Sequence, residues 1–244
     1  MQQPVVEADP SLGNALASYP SDRLRALIIG GIIGATIAAL VSLTIAPLPD
    51  WWAPPLTVII MAGTTLGLGW FVLHFWNREI ILYERGFLLQ EGSRWVPFLY
   101  AEMSSIRLYA ERLSQFGGLL KRDVYRFTVT SVRGEQFVIT NRVYRRAAEL
   151  GTRLTEQLNK VLEPRLRERM DNGEQVPFAD GLTMSAIGLH AGGKDLRWAD
   201  FGGYSAQGGR LHLLDREKKS WFSMPLREVD NLTLLVDLLK EQRA

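Results

Sequence analysis

ALIIGGIIGATIAALVSLTIA, from Ala26 to Ala46, and LTVIIMAGTTLGLGWFVLHFW, from Leu56 to Trp76, decide how this chain is built. Each stretch has 21 residues and no charged side chain. About 20 apolar residues are needed to cross the roughly 30 Å hydrocarbon core as a helix. In lipid every backbone N–H and C=O must find an internal partner, so helix is the state such a segment adopts. The reading is a transmembrane helical hairpin over residues 23–76, with spans at 26–46 and 56–76. A cleaved signal peptide is disfavoured, because the first apolar core is too long and a second span follows it.

Lys and Arg near the spans give the orientation. Arg23 and Arg25 precede the first; Arg78, Arg85 and Arg94 follow the second. The connection Pro47-Leu-Pro-Asp-Trp-Trp-Ala-Pro-Pro55 carries only Asp50. The positive-inside rule therefore expects a multi-pass membrane protein with both termini in the cytoplasm. Trp51 and Trp52 suit the outer interface, and Trp70 or Trp76 the inner one.

The rest of the 244-residue chain is long enough for one domain or two small ones. Net charge is +2, and no nucleic-acid-binding motif occurs, so nucleic acid is not expected as a partner. There is no cysteine, which excludes disulfides, thiolate nucleophiles and cysteine-based metal sites. Residues 1–22 are small and polar, with Pro4, Pro10 and Pro20, and read as a disordered tail.

From Asn77 the pattern changes to short strands. Glu79–Tyr83, Phe87–Gln90, Trp95–Leu99, Ser105–Glu111, Val124–Val132 and Gln136–Thr140 are separated by turn residues. A helix follows, with Val143, Ala147, Leu150, Leu154, Leu158 and Val161 at three- and four-residue steps and Asn141 as N-cap. The series then recurs. Strands are expected at Leu182–Ser185, Gly188–Ala191, Asp195–Asp200, Gly202–Ala206, Arg210–Asp215 and Lys219–Phe222. A closing helix is expected from Pro225 to Gln242 with Val229, Leu232, Leu235, Val236 and Leu239 on one face. Two anchors indicate duplication. Arg85-Gly86-Phe87-Leu88 corresponds to Ile187-Gly188-Leu189-His190, and Tyr100-Ala101-Glu102-Met103 to Trp198-Ala199-Asp200-Phe201. The expected domains are residues 77–172 and 173–244.

On Leu82-Tyr83-Glu84-Arg85-Gly86, the two aromatic-Ala-acid-apolar tetrads and the closing helices, the chain resembles a family of uncharacterised bacterial membrane proteins. These combine two transmembrane helices with a cytoplasmic tandem PH-like (pleckstrin-homology-like) region. The resemblance covers residues 77–244 and brings no catalytic residues. It implies an α+β membrane protein of a bacterial plasma (inner) membrane: an N-terminal transmembrane helical hairpin followed by two PH-like units, each a bent antiparallel sheet with a C-terminal helix.

Residues that could carry chemistry are few. His74, His190 and His212 have no second ligand at metal-binding spacing. Glu102 and Asp200 occupy matching repeat positions, which favours a structural role such as bonding a turn N–H. No nucleophile, base and orienter can be assembled and no cofactor motif occurs, so catalytic residues, metals and cofactors are expected to be none. Gly30 and Gly34 in the first span, and Gly63 and Gly67 in the second, form GxxxG pairs for helix packing. They serve either the hairpin itself or a homo-oligomer. The segment Leu113–Arg122 reads as a loop. Its Phe116, Leu119 and Leu120, followed by Lys121 and Arg122, are candidates for contact with an anionic leaflet; the alternative is that they pack against the other half of the chain or a partner. Residues 77–169 hold 17 Lys and Arg against 11 Asp and Glu, whereas 170–244 hold 9 against 11. The half next to the spans is the basic one.

The expected role is a non-enzymatic, membrane-tethered interaction or scaffold module whose partners are the bilayer and another protein. The alternatives are an accessory subunit of a larger membrane complex and, least supported, an enzyme.

Overall fold

The computed structural model describes residues 10–45, 53–115 and 120–242, with the side chains of 111–123 outside the description. The chain is α+β, with antiparallel sheets among the described residues. Its contacts gather into two compact units, Met1–Phe98 with Arg142–Arg145, and Leu99–Asn141 with Arg146–Ala244.

The first unit begins with β1 (Ala15–Pro20), followed by α1 (Arg23–Ile45), α2 (Ala53–Trp76), β2 (Arg78–Tyr83), β3 (Gly86–Glu91) and β4 (Arg94–Leu99). The strands form one sheet in the order β1-β2-β3-β4. Both helices are long and apolar enough to cross a membrane. Their surfaces carry large exposed apolar side chains, among them Leu43 and Leu66, each 75% exposed.

Of the disordered tail expected over residues 1–22, the part from residue 10 onward is corrected by β1, and residues 1–9 lie outside the described residues. Ala17 to Pro20 pair with Leu82 to Glu79. Leu12 and Tyr19 are buried, and the Arg85 and Glu84 N–H groups bond the Leu12 and Asn14 carbonyls at 3.0 and 3.1 Å. Burying two large side chains and closing a ladder offset the entropy of ordering a small-residue segment. The helical hairpin is therefore an insertion between two paired strands.

The second unit holds β5 (Met103–Gln115), β6 (Leu120–Ser131) and β7 (Gln136–Thr140), then α3 (Ala147–Asp171). It continues with β8 (Val176–Ala179), β9 (Leu182–Ser185), β10 (Gly188–Ala191), β11 (Lys194–Arg197), β12 (Phe201–Gln207), β13 (Arg210–Asp215), β14 (Ser220–Pro225) and α4 (Leu232–Glu241). The sheets run β5-β6-β7, β11-β10-β9-β8 and β12-β13-β14. The buried stripe of α3 is Ala147, Leu150, Leu154, Leu158, Leu162, Leu166 and Met170, and the helix lies against β5, β6, β7, β8 and β9. It starts later and runs further than the periodicity gave, because residues 142–145 leave the helical path. The closing helix is also shorter than expected. Pro225 ends β14 instead of opening the helix, and Leu226–Glu228 form a 3-10 turn before α4.

The element series repeats. A four-stranded sheet, a 3-10 turn (Tyr100–Glu102, then Trp198–Asp200), a three-stranded sheet and a helix occur twice in the same order. Gly86 opens β3 and Gly188 opens β10. A Cβ on Gly86 would overlap the Phe98 carbonyl oxygen, and one on Gly188 the Leu196 carbonyl oxygen. The same close approach of a neighbouring strand imposes glycine at both positions.

Candidate functional site

The most built-up polar region of the first unit is the base of the hairpin. Asp22 stands just before α1, where its Oδ1 accepts the Arg25 N–H at 3.2 Å and its carbonyl the Ala26 N–H at 3.1 Å, a side-chain cap on an otherwise open helix start. At the other end, Ser21 donates its hydroxyl to the Trp76 carbonyl at 3.4 Å and its N–H to the Arg78 carbonyl at 2.9 Å. The β3–β4 turn joins them, with Gly92 N–H on the Asn77 carbonyl at 2.8 Å. A segment from far along the sequence completes the ring. Ser21 bridges to Tyr144, and the Asp22 N–H bonds the Val143 carbonyl at 2.7 Å.

Arginine side chains sit on aromatic rings here. The Arg23 guanidinium carbon is 5.2 Å from the Trp76 ring centroid, and that of Arg78 is 5.5 Å from Phe75. Arg78 also meets His74 Nε2 at 2.7 Å, while its enclosed Nε–H has no acceptor among the described residues. Burial pushes the Tyr144 phenol up to about 12, with Arg78 pulling it down and Glu91 pushing it further up. This phenol stays neutral across the physiological range.

The two glycine pairs of the spans face different surroundings. A Cβ on Gly30 would stand 3.2 Å from Val72 Cγ2, and one on Gly34 3.1 Å from Leu68 Cδ1. These two glycines let α1 close onto α2. A Cβ on Gly63 or Gly67 would meet nothing within 4 Å. In the second unit, the loop expected over Leu113–Arg122 is largely ladder. Leu113 pairs with Arg122, Ser114 with Lys121 and Gln115 with Leu120. Phe116 and Leu119 lie outside the described residues, as do the side chains of Leu120, Lys121 and Arg122.

Glu102 and Asp200 are both the third residue of a 3-10 turn, and both are exposed. Neither carboxylate takes a hydrogen bond among the described residues, which corrects the expected turn-bonding role. Equivalence here lies in the backbone, where the Met103 and Phe201 N–H groups bond the Tyr100 and Trp198 carbonyls. His190 holds Asp195 at 2.8 Å on an exposed strand pair. Among the described residues no three His, Asp or Glu side chains gather as a metal site.

A second polar feature lies wholly in the second unit. Arg107, Tyr109, Arg126, Thr128, Arg227 and Glu228 line an open cleft of about 490 Å³. Arg107 sits opposite Thr128 and Tyr109 opposite Arg126 on the β5–β6 ladder, so all four side chains share one face. Asp230 holds Arg107 through two bonds of 3.0 Å. Against the three arginines stand Glu228 and Asp230, which leaves the cleft close to neutral. Sequence reasoning found Arg23, Arg25, Arg78 and Arg94 as charges flanking the spans, but it missed the 142–145 segment that completes the base, and it missed the cleft, because those residues come from separated segments.

The fold thus defines a class: an α+β chain whose apolar helical hairpin is set into the edge of an antiparallel sheet. A family of unknown function (DUF6585) has a model that matches residues 1–244, and the chain belongs to that family. No curated protein and no solved structure matches the chain.

Proposed function

We propose that this chain is a two-span protein of a bacterial plasma membrane. It holds two PH-like sheet-and-helix modules at the cytoplasmic face, where they act without catalysis as a scaffold for another protein. The single observation that carries this reading is the insertion of the apolar hairpin between β1 and β2. Pro20 and Glu79 oppose each other on the ladder, so both ends of the hairpin leave the sheet at one point. Sheet and anchor are one folded object, and the N-terminal segment shares the side of the membrane occupied by the sheet. Arginines at the hairpin base, against a connection carrying only Asp50, favour the cytoplasm as that side. The family match over residues 1–244 includes the hairpin as well as the sheets, which supports tethering as part of the function. The mechanism is local concentration: a partner confined to the same surface meets the modules at high effective concentration.

The repeated order of four-stranded sheet, three-stranded sheet and closing helix supports the PH-like assignment. A second reading, an accessory subunit using its spans as interface, is favoured by the open surroundings of Gly63 and Gly67. Purification of the full chain in mild detergent tests both. A stoichiometric partner that survives Gly63→Leu with Gly67→Leu and is lost on surface substitutions of the sheets supports the scaffold. A partner lost only with the glycine substitutions supports the subunit reading and overturns the first. A chain released from membranes by alkaline carbonate would overturn both.

A further inference from the structure

We infer that the base of the hairpin is a binding site for the phosphate of an anionic phospholipid. The proposal rests on the membrane-spanning reading above. Four separated stretches deliver arginines to this one level of the first unit. Arg23 and Arg25 lie in the first turn of α1, and Arg78 opens β2. Arg94 opens β4 just past the turn tied to Asn77, and Arg142 and Arg145 flank the segment held to Ser21 and Asp22. The carboxylates at the same level are Asp22, Glu79 and Glu91. Asp22 is engaged by the Arg25 N–H, Glu79 by the Ser18 hydroxyl, and Glu91 stands opposite Arg78 in the ladder. Six arginines against three carboxylates leave a net +3 beside the ends of two uncharged helices.

Arg94, Arg142 and Arg145 are exposed and carry no ion pair among the described residues. Guanidinium groups bond phosphate oxygens in a bidentate fork. The neighbouring Trp76 ring, apolar with one polar N–H, is the kind of side chain that settles at the headgroup level. The position selects a lipid over a soluble anion: the site lies where apolar helix gives way to polar sheet, the level at which a headgroup phosphate is presented.

Native mass spectrometry of the full chain in mild detergent, titrated with phosphatidylglycerol or phosphatidylcholine of the same acyl length, tests the site. Phosphatidylglycerol should be retained preferentially. Arg142→Gln with Arg145→Gln should weaken it by roughly tenfold or more, given about 1 kcal/mol per cation near an anionic leaflet and a factor of ten per 1.4 kcal/mol. Arg142→Lys with Arg145→Lys should bind between the parent and the glutamine variant, because the charge stays and the fork is lost, which guards against loss through misfolding. Arg85→Gln, at the opposite end of the same sheet, should change nothing.

Equal retention of the two lipids, or a glutamine double variant that binds like the parent, would overturn the proposal. Displacement of the lipid by millimolar inorganic phosphate would overturn the lipid assignment and make the ligand a free phosphate. A chain that purifies without detergent would overturn the membrane reading itself, which is a separate and visible failure.

Discussion

Replacing Asn231 should cost more stability than any exposed position in the second unit, and the order of two replacements says why. Asn231 precedes α4, is 3% exposed and adopts a left-handed backbone at φ 50, ψ 41. Its N–H bonds the Ile106 carbonyl at 2.8 Å, and its Oδ1 accepts the Ile106 N–H at 2.9 Å. One residue thus imitates a neighbouring strand along the edge of β5. Asn231→Ala leaves the buried Ile106 N–H without an acceptor, at about 1–3 kcal/mol. It also puts a non-glycine side chain in the left-handed region without asparagine's local bonding, at about 1 kcal/mol more. The sum is about 2–4 kcal/mol, or a fall in Tm of about 4–16 °C for a chain of this size. Asn231→Gly loses the side-chain bond but is at ease in that backbone region, so it should lose about 1 kcal/mol less. Adjacent Asp230 and Arg107 are 25% and 44% exposed, so their ion pair is screened and worth about 1 kcal/mol or less. Thermal unfolding of the full chain in detergent should rank parent, glycine variant, alanine variant. An alanine variant no less stable than the glycine variant would refute the backbone argument, and one matching the parent would refute the edge-bond argument.

Gly86→Ala and Gly188→Ala should each destabilise by about 1–3 kcal/mol, because the added methyl meets a strand carbonyl. Gly63→Ala, in open surroundings, should be neutral, and thermal unfolding of the three variants decides. The chain has no cysteine, so Asp50→Cys and Ala199→Cys give single labels. An impermeant maleimide applied to the outside of intact cells should modify only the first, and labelling of the second would reverse the topology. Glu84 is held below its ordinary carboxylate value, first by the Asn14 side-chain amide and then by the Asn14 N–H, at 3.1 and 3.3 Å. A depressed folded value contributes stability that is full above the unfolded value near 4.3 and is lost as pH falls through the folded one. Hydrogen exchange of β1 amides, corrected for intrinsic rates, should accelerate in that acid window, and Glu84→Gln should remove the pH dependence.

What could be read directly was whatever is encoded locally. The two charge-free runs set the hairpin by length alone, and the Gly-rich or charged turns between the strands bounded β9, β10 and β13 to the residue. Segments whose structure depends on a distant partner were misread. Ala15–Pro20 has small residues and ends in proline, and its partner strand lies beyond the whole hairpin, so neither propensity nor spacing reveals it. Val143 fits the helical step toward Ala147, yet residues 142–145 are held by Ser21 and Asp22 instead. Pro225 fits the first turn of a helix equally well, but there it closes a ladder with Arg210. The arginine cluster at the hairpin base was legible in part: Arg23, Arg25, Arg78 and Arg94 flank the spans in the sequence. Arg142 and Arg145 join them only through the bonds of residues 143 and 144 to Ser21 and Asp22.

The repeat makes the placement of the hairpin testable by removal. In the second copy of the series, Ala179 and Leu182 oppose each other and the turn between β8 and β9 is Asp180-Gly181. In the first copy, Pro20 and Glu79 oppose each other, and the hairpin fills the same place. Substituting Asp-Gly for residues 21–78 should therefore preserve the β1–β2 ladder, since the two chain ends already meet there and a short turn lowers the closure cost. The bonds from Ser21 and Asp22 to residues 143–144 would go, which loosens that segment without touching the ladder. The shortened chain should be soluble without detergent and should still protect the Leu82 and Ile80 amides from exchange. Rapid exchange at those amides would mean that the hairpin, not the ladder, holds β1 in place. Continued sedimentation with membranes would mean that the anchor lies elsewhere than in α1 and α2.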